Sequence, residues 1–270
     1  MTACPAIQHQ RSTGAVHVSL LPGPSGAGLN RLHQAGSARA FVHPGRSGPE
    51  VVFLNTSGGL AEGDTLDYRL DLGTACRATA TTQTAERAYR STGSPARVTV
   101  LHRLAEGAHL DWLPQETILF DHSALHRETE IDLGKDASCL LLEAVVLGRA
   151  AMGETLNRLA LDDRRMVRRT GTPVLFEPLR IHTEALAAGP GILAGARAFA
   201  TLTLVAQGAE DALGPVRAML SEPDTSGGAS GFDGKLIIRL MARDGWPLRR
   251  QILRLLSVLR PGPPPQVWQI

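Results

Sequence analysis

Tyr68-Arg69-Leu70-Asp71-Leu72-Gly73, running on to Cys76-Arg77-Ala78-Thr79-Ala80-Thr81-Thr82, is the stretch that decides the fold. Tyr68, Leu70 and Leu72 alternate with Arg69 and Asp71, the period of a half-buried strand, and Gly73 turns the chain into a second run. The pattern recurs twice. Val98, Val100 and His102 alternate before Gly107 leads into His109 to Leu113, and Thr129, Ile131 and Leu133 do so before Gly134 leads into Ser138 to Leu147. These glycines stand 34 and 27 residues apart, which is too irregular for a strict repeat. Each unit is still a pair of strands that must stack on its neighbours to bury its apolar face. The spacing predicts a mainly β protein, an elongated stacked β-sheet that is sandwich-like or loosely β-helical in path.

Outward from this stretch, Val16 to Leu21 reads as a first strand, Pro22 to Gly28 as a loop and Ala40 to His43 as a strand. Residues 1–15 read as a disordered tail before a single domain over 16–270. Ser226 to Gly234 reads as a glycine-rich loop, followed by a strand from Lys235 to Ala242. Two α-helices are predicted near the C-terminus, over 210–220 and 246–260. The second places Leu248, Ile252, Leu255, Leu256 and Leu259 on one face and Arg249, Arg250 and Arg254 on the other, and Pro261 stops it. The apolar face serves as core or as part of a partner surface rimmed by the three arginines.

The 28 basic and 26 acidic residues give a net charge of +2 and are interleaved, with no basic stripe for nucleic acid. Arg164, Arg165, Arg168 and Arg169 crowd together in a pattern that suits a solvated strand face. Cys4, Cys76 and Cys139 form no Cys-x-x-Cys pair, which suits a reducing compartment and argues against a disulfide framework. The N-terminus lacks a signal-peptide pattern, and the longest apolar run, Leu140 to Leu147, is short and contains Glu143. A cytoplasmic protein without a membrane partner is expected.

Val51 to Asp64 joins a short apolar strand to Asn55-Thr56-Ser57-Gly58-Gly59 and closes on Glu62-Gly63-Asp64. It is no phosphate loop, because no Gly-Lys-Ser/Thr follows. Gly58 and Gly59 allow positive φ or a close backbone approach. No Gly-x-Ser-x-Gly elbow is present. His122 and His126 have the spacing of a helical zinc pair, but they stand between two strands, where an exposed loop is the reading. The acids among apolar neighbours say more. Glu143, in Leu-Leu-Leu-Glu-Ala-Val-Val-Leu, either faces water on one side of its strand or lines a polar channel. Glu154 and Glu177 also have apolar neighbours.

Asn55 to Asp64, Thr81-Thr82-Gln83-Thr84-Ala85-Glu86-Arg87-Ala88-Tyr89-Arg90-Ser91, Leu113 to Asp121 and Gly148 to Glu154 resemble, in order, the motifs of the urease accessory protein UreD (UreH) family. Val267-Trp268 is similar to that family's ending. The chain departs from the pattern at Glu62, where glycine is usual, and at Leu142, where an aromatic commonly precedes the glutamate.

The resemblance implies a UreD-like domain that is not an enzyme. Such a protein would scaffold UreF and the GTPase UreG on the urease apoprotein and pass Ni(II) through its interior, with no permanently bound cofactor. A transit route needs shallow oxygen sites, because a histidine and thiolate cage would trap the ion. Asp64, Glu143, Glu154 and Glu177 are the candidates for it, and Arg249, Arg250 and Arg254 for partner binding. The alternative is a β-rich carboxylate-dependent hydrolase or carbohydrate-binding protein with Glu143 and Glu154 as acid and base.

Overall fold

A computed structural model describes residues 11–269 apart from 25 and 188–191. Strands account for 54% of the protein and helices for 14%, so it is mainly β as expected. The strands lie in two sheets, one of seven strands and one of ten. β1 (Thr13–Gly23) and β2 (Gly26–Gly36) make an antiparallel hairpin at one edge of the smaller sheet, and β3 (Ala38–His43) and β4 (Glu50–Asn55) pair antiparallel at one edge of the larger. The chain then coils. β5 (Thr65–Leu72) joins the smaller sheet, β6 (Arg77–Thr82) and the short β7 (Glu86–Ala88) the larger, and β8 (Ala96–Leu104) the smaller again. β9 (His109–Trp112) and the short β10 (Thr117–Leu119) join the larger sheet, β11 (Ser123–Leu133) the smaller, β12 (Ser138–Leu147) the larger and β13 (Leu159–Arg169) the smaller.

Within each sheet the coiling strands are parallel: β5, β8, β11 and β13 in one, β4, β6, β9 and β12 in the other. The result is a two-faced β-helix in which inward residues of every coil meet across the middle, the burial the alternating pattern demanded. Its corners also stack. The Ala75 N–H donates to Glu106 O and the Gly107 N–H to Lys135 O, both at 2.9 Å. The left-handed corner position is held by Ala75, Gly107 and Asp136, so Gly73, Gly107 and Gly134 do not occupy equivalent places and their spacing understates the regularity.

Antiparallel strands finish the two sheets: β14 (Thr172–His182) on the smaller, and β15 (Ala198–Val205), β17 (Lys235–Ala242) and β16 (Thr225–Phe232) on the larger. Three expectations need correction here. β16 lies where a glycine-rich loop was expected: a Cβ on Gly227 would stand 2.9 Å from the Arg239 carbonyl, so the glycine permits close pairing. β1 begins at Thr13, inside the expected tail, and residues 1–10 lie outside the described residues. The expected loop from Pro22 to Gly28 is mostly hairpin strand, since β1 runs to Gly23 and β2 begins at Gly26; β2 is almost wholly exposed and holds its register as an edge strand through backbone pairing.

The short helix α1 (Thr183–Ala187) had no signal in the sequence. The two expected helices are α2 (Leu213–Met219), preceded by a 3₁₀ turn over Ala209–Ala212, and α3 (Gly245–Leu259). Asp244 caps α3, its Oδ1 accepting from the Gly245 N–H. Leu248, Ile252, Leu255 and Leu256 pack with Leu140, Leu142, Ala200, Leu202 and Ile238 on the outer face of the larger sheet, so this apolar stripe is core. β12 therefore has no wet face, being covered by α3 on one side and by the smaller sheet on the other.

Candidate functional site

Strand register builds a polar slot into this core. Across the smaller sheet, Tyr68, Val100, Thr129, Arg165 and Glu177 are successive partners on five adjacent strands and form one inward row. Arg127 and Asp163 are paired in the next inward row. On the larger sheet the facing row is Glu143, Thr201 and Arg239. The Glu143 side chain therefore points into the space between the two sheets.

The charges alternate in sign from the rim inward. Arg239 Nη2 donates to Glu177 Oε1 at 2.6 Å, and Glu177 Oε2 lies 3.4 Å from Arg165 Nη1. Arg165 Nε lies 3.7 Å from Asp163 Oδ2. Arg127 grips Asp163 with two hydrogen bonds of 3.0 and 2.9 Å and stands 2.8 Å from Glu143 Oε2. The innermost carboxylate, Glu143, takes long hydrogen bonds from Trp112 Nε1 (3.3 Å) and Thr129 Oγ1 (3.4 Å). The outer end opens into a cavity of about 750 Å³ lined by Arg165, Glu177, Thr201 and Arg239 together with Phe176, Phe199 and Met241.

This network is incompletely paired. Arg165 Nε and Thr203 Oγ1 are buried without a protein hydrogen-bond partner, whereas Glu143 Oε2 and Glu177 Oε2 are held by the Arg127 and Arg165 guanidiniums at 2.8 and 3.4 Å. Such atoms need water for company, each unsatisfied group otherwise costing about 1–3 kcal/mol. Three carboxylates, Glu143, Asp163 and Glu177, stand against three guanidiniums, Arg127 and Arg165 inside and Arg239 at the rim. Burial pushes the Glu143 carboxyl up, with Arg127 pulling against it. Burial works on Asp163 in the same direction, but Arg127 and Arg165 outweigh it and hold that carboxyl low. The pair thus splits into one carboxyl that favours a proton or cation and one that stays ionised.

The four sequence candidates separate. Glu143 and Glu177 belong to one network. Asp64 closes the glycine-rich turn instead, accepting from the Ser12 N–H (2.7 Å) and the Ala61 N–H (2.8 Å). Glu154 braces another turn: its Oε2 takes the Arg149 N–H and side chain, and its Oε1 the Asp121 N–H. The Arg149 guanidinium holds the Glu154 carboxyl below the usual carboxylate range. Glu62, where glycine was expected, accepts from the Thr92 N–H and hydroxyl, which lower its pKa, so the added charge serves a neighbouring loop. Gly58 has a φ of 78°, and a Cβ on Gly59 would stand 2.3 Å from the Tyr89 ring, so both glycines are required.

The arginine rim is largely committed within the chain. Arg249 donates to Gln115 Oε1 and to the Trp268 carbonyl and lies over the Trp268 ring at 4.7 Å. Arg250 and Arg254, about half exposed, clamp the buried Glu222 at 3.0 and 3.4 Å. Two further readings change. Arg165 is buried rather than on a solvated face; only its alternation partners Arg164 and Arg168 point outward, to Glu128 and Glu130. His126 stands on β11 rather than in a loop and contacts Glu128 at 3.3 Å. Among the described residues no three His, Cys, Asp or Glu side chains converge as a metal cage.

Arg127, Asp163 and Arg165 were missed as site residues. Their signal was present but ambiguous: each occupies the inward phase of an otherwise apolar alternation, and Arg165 stands in a run read as a solvated face.

Fold and site together define a class: a mainly β protein with a row of buried ion pairs between two sheets. Residues 12–269 match the family model for the UreD urease accessory protein. The chain is 58% identical to the urease accessory protein UreD of Cereibacter sphaeroides, over 96% of each chain. It is 52% identical to that of Paracoccus denitrificans, over 98% of this chain and 94% of the relative. It is 41% identical to that of a Rhizobium leguminosarum strain over the whole of both. The chain belongs to the UreD family of urease accessory proteins.

Proposed function

We propose that this protein is a non-catalytic scaffold that docks UreF- and UreG-like proteins on apo-urease and passes Ni(II) through the slot. The alternating ion row from Glu177 at the rim to Glu143 in the middle carries this reading. It supplies spaced carboxylate oxygens along one line from the cavity mouth to the middle of the core. Each donor is held by a guanidinium, so a passing cation meets competition at every station and none becomes a trap. Asp64 and Glu154 act in the reading as loop braces, and the exposed halves of Arg250 and Arg254 as the docking rim.

The hydrolase alternative fits less well. Glu143 and Glu154 share no hydrogen-bond partner, and Glu154 is held ionised in a surface turn, whereas an acid/base pair needs both carboxyls facing one substrate. The test is coexpression of urease and its accessory proteins with a Glu143→Gln, Glu177→Gln double variant. The expected result is an intact accessory complex and less nickel per urease active site. Full loading overturns the transit reading, and loss of the complex together with loading makes the two residues structural.

A further inference from the structure

The turns that lead from the larger sheet back to the smaller one stack at a single corner of the coil. They are residues 56–64, 89–95, 120–122 and 148–158, and each overlaps one of the four family motifs. Backbone bonds tie each turn to the next: the Tyr89 N–H donates to Leu60 O at 2.7 Å, the Phe120 N–H to Ala88 O at 3.1 Å and the Gly148 N–H to Leu119 O at 2.8 Å. A strip of side chains crosses all four. The Tyr89 hydroxyl donates to Gly58 O at 3.1 Å and its ring lies against Gly59. Phe120 meets Tyr89 edge-on at 5.1 Å, and the Arg149 guanidinium lies 4.4 Å over Phe120, braced from behind by Glu154. The strip is nonetheless open to solvent. Tyr89 is exposed, Arg149 about half exposed, and Met152, in the same turn as Arg149, is 75% exposed.

We infer that this corner docks a protein partner whose contact surface is acidic around an apolar residue. The inference rests on the scaffold reading above, not on nickel transit, and adds a second face to the rim of Arg250 and Arg254 on α3. Charge decides the partner's sign. Arg87, Arg90, Arg149 and Arg158 are exposed at the corner, while its acids are turned to its own turns. Asp121 accepts from the Asn157 and Arg158 N–H groups, Glu154 from the Asp121 N–H and from Arg149, and Glu62 from the Thr92 N–H. Arg90 and Arg158 are thus left, among the described residues, without an ion pair. Composition points to a protein: arginine, tyrosine, phenylalanine and methionine without lysine is the make-up of an interface centre. An exposed thioether suits an apolar protein residue and not a phosphate backbone, and a second copy of the chain would set cation on cation. Tyr89, Phe120 and Arg149 are already fixed by their neighbours, so docking orders few side chains.

Two variants test this without touching the strip itself. Met152→Glu puts a negative charge on a mostly exposed side chain, and a double Arg90→Glu, Arg158→Glu variant reverses the two unpaired cations. Surface plasmon resonance compares each with the native chain against a purified UreF-like protein, a UreG-like protein and apo-urease in turn. The expected result is that one of the three dissociates roughly tenfold faster from Met152→Glu. The same partner associates more slowly with the double arginine variant, and with a weaker salt dependence. Native-strength binding of every captured partner by either variant overturns the inference and leaves the scaffold reading standing. A native chain that captures none of the three overturns both. Should a variant fold poorly or lose all captured partners alike, the Met152 methyl resonance of the native chain decides the matter. Its broadening or shift on addition of a captured partner supports the docking face, and an unchanged resonance with every captured partner overturns it.

Discussion

Arg127 Nη1 stands 2.8 Å from Glu143 Oε2, and this ion pair ties a strand of the smaller sheet to a strand of the larger in the middle of the core. The same guanidinium also holds Asp163 through two hydrogen bonds. Arg127 thus holds two fully buried carboxylates at hydrogen-bonding distance, and its removal and theirs are not equivalent.

Arg127→Met leaves Asp163 and Glu143 buried with too little positive charge, and it should lower the unfolding free energy by about 3–5 kcal/mol. Glu143→Gln removes the carboxyl that burial already disfavours and should cost much less. Urea unfolding of the two variants checks the order; a larger loss from Glu143→Gln contradicts the charge assignment.

Burial raises the Glu86 carboxyl to about 7, against the hydrogen bond from Asn55. Between the ordinary carboxylate range and pH 7 the folded state therefore binds more protons than the unfolded one, and stability falls as pH rises through that window. Glu86→Gln should abolish this fall, gaining on the order of 1–3 kcal/mol relative to the native chain at pH 8 and little at pH 5. Parallel melting curves across the window would sink the argument.

Trp268 is buried, its Nε1 donating to Thr81 Oγ1 and the Leu113 carbonyl, with Arg249 lying over the ring. Trp268→Ala should cost about 3–5 kcal/mol. Arg249→Ala should also destabilise, by about 1–2 kcal/mol, since it loses packing and two hydrogen bonds rather than a surface charge. An Arg249→Ala protein of native stability that fails to capture its partner would instead give that arginine to the interface.

Arg250 and Arg254 share one buried carboxylate, Glu222, and still expose about half of each side chain. Single Arg250→Gln and Arg254→Gln variants keep one guanidinium on Glu222, so each should fold and capture a UreF-like protein more weakly. Capture at native strength by both variants removes these residues from the docking rim.

Ala75 holds a left-handed corner with a φ of 56°. A side chain there is strained, so Ala75→Gly should raise stability by about 1 kcal/mol despite the freer unfolded chain. Asp136→Gly, at the equivalent corner of a later coil, should act in the same direction. Thermal melts of the two variants check this, and destabilisation by both would mean the corners are not strained.

The sequence by itself determined the β character, because a two-residue period in apolar side chains is a property of local order and survives any later packing. It also determined α3, its stop at Pro261 and its apolar stripe, which follow from helical spacing alone. The required glycines at 58 and 59 and the family motifs were legible for the same reason: each is a run of neighbours. What alternation left open was which covered face a charged residue occupies. Arg165 and Arg164 are neighbours in one crowded run, yet one is buried in the slot and the other pairs with Glu128 at the surface. Glu143 and Glu177 are far apart in the chain and carry no local sign of each other. Only the parallel stacking of coils, which sets Thr129 beside Arg165 and Glu143 opposite Arg127, brings them into one line. Asp64 and Glu154 look alike in sequence but accept backbone N–H groups of their own turns, because folding those turns leaves donors that the nearest carboxylate satisfies first. His102 shows the same limit: its alternation marks a strand, and the facing sheet alone decides that its ring is packed among Phe53 and Trp112.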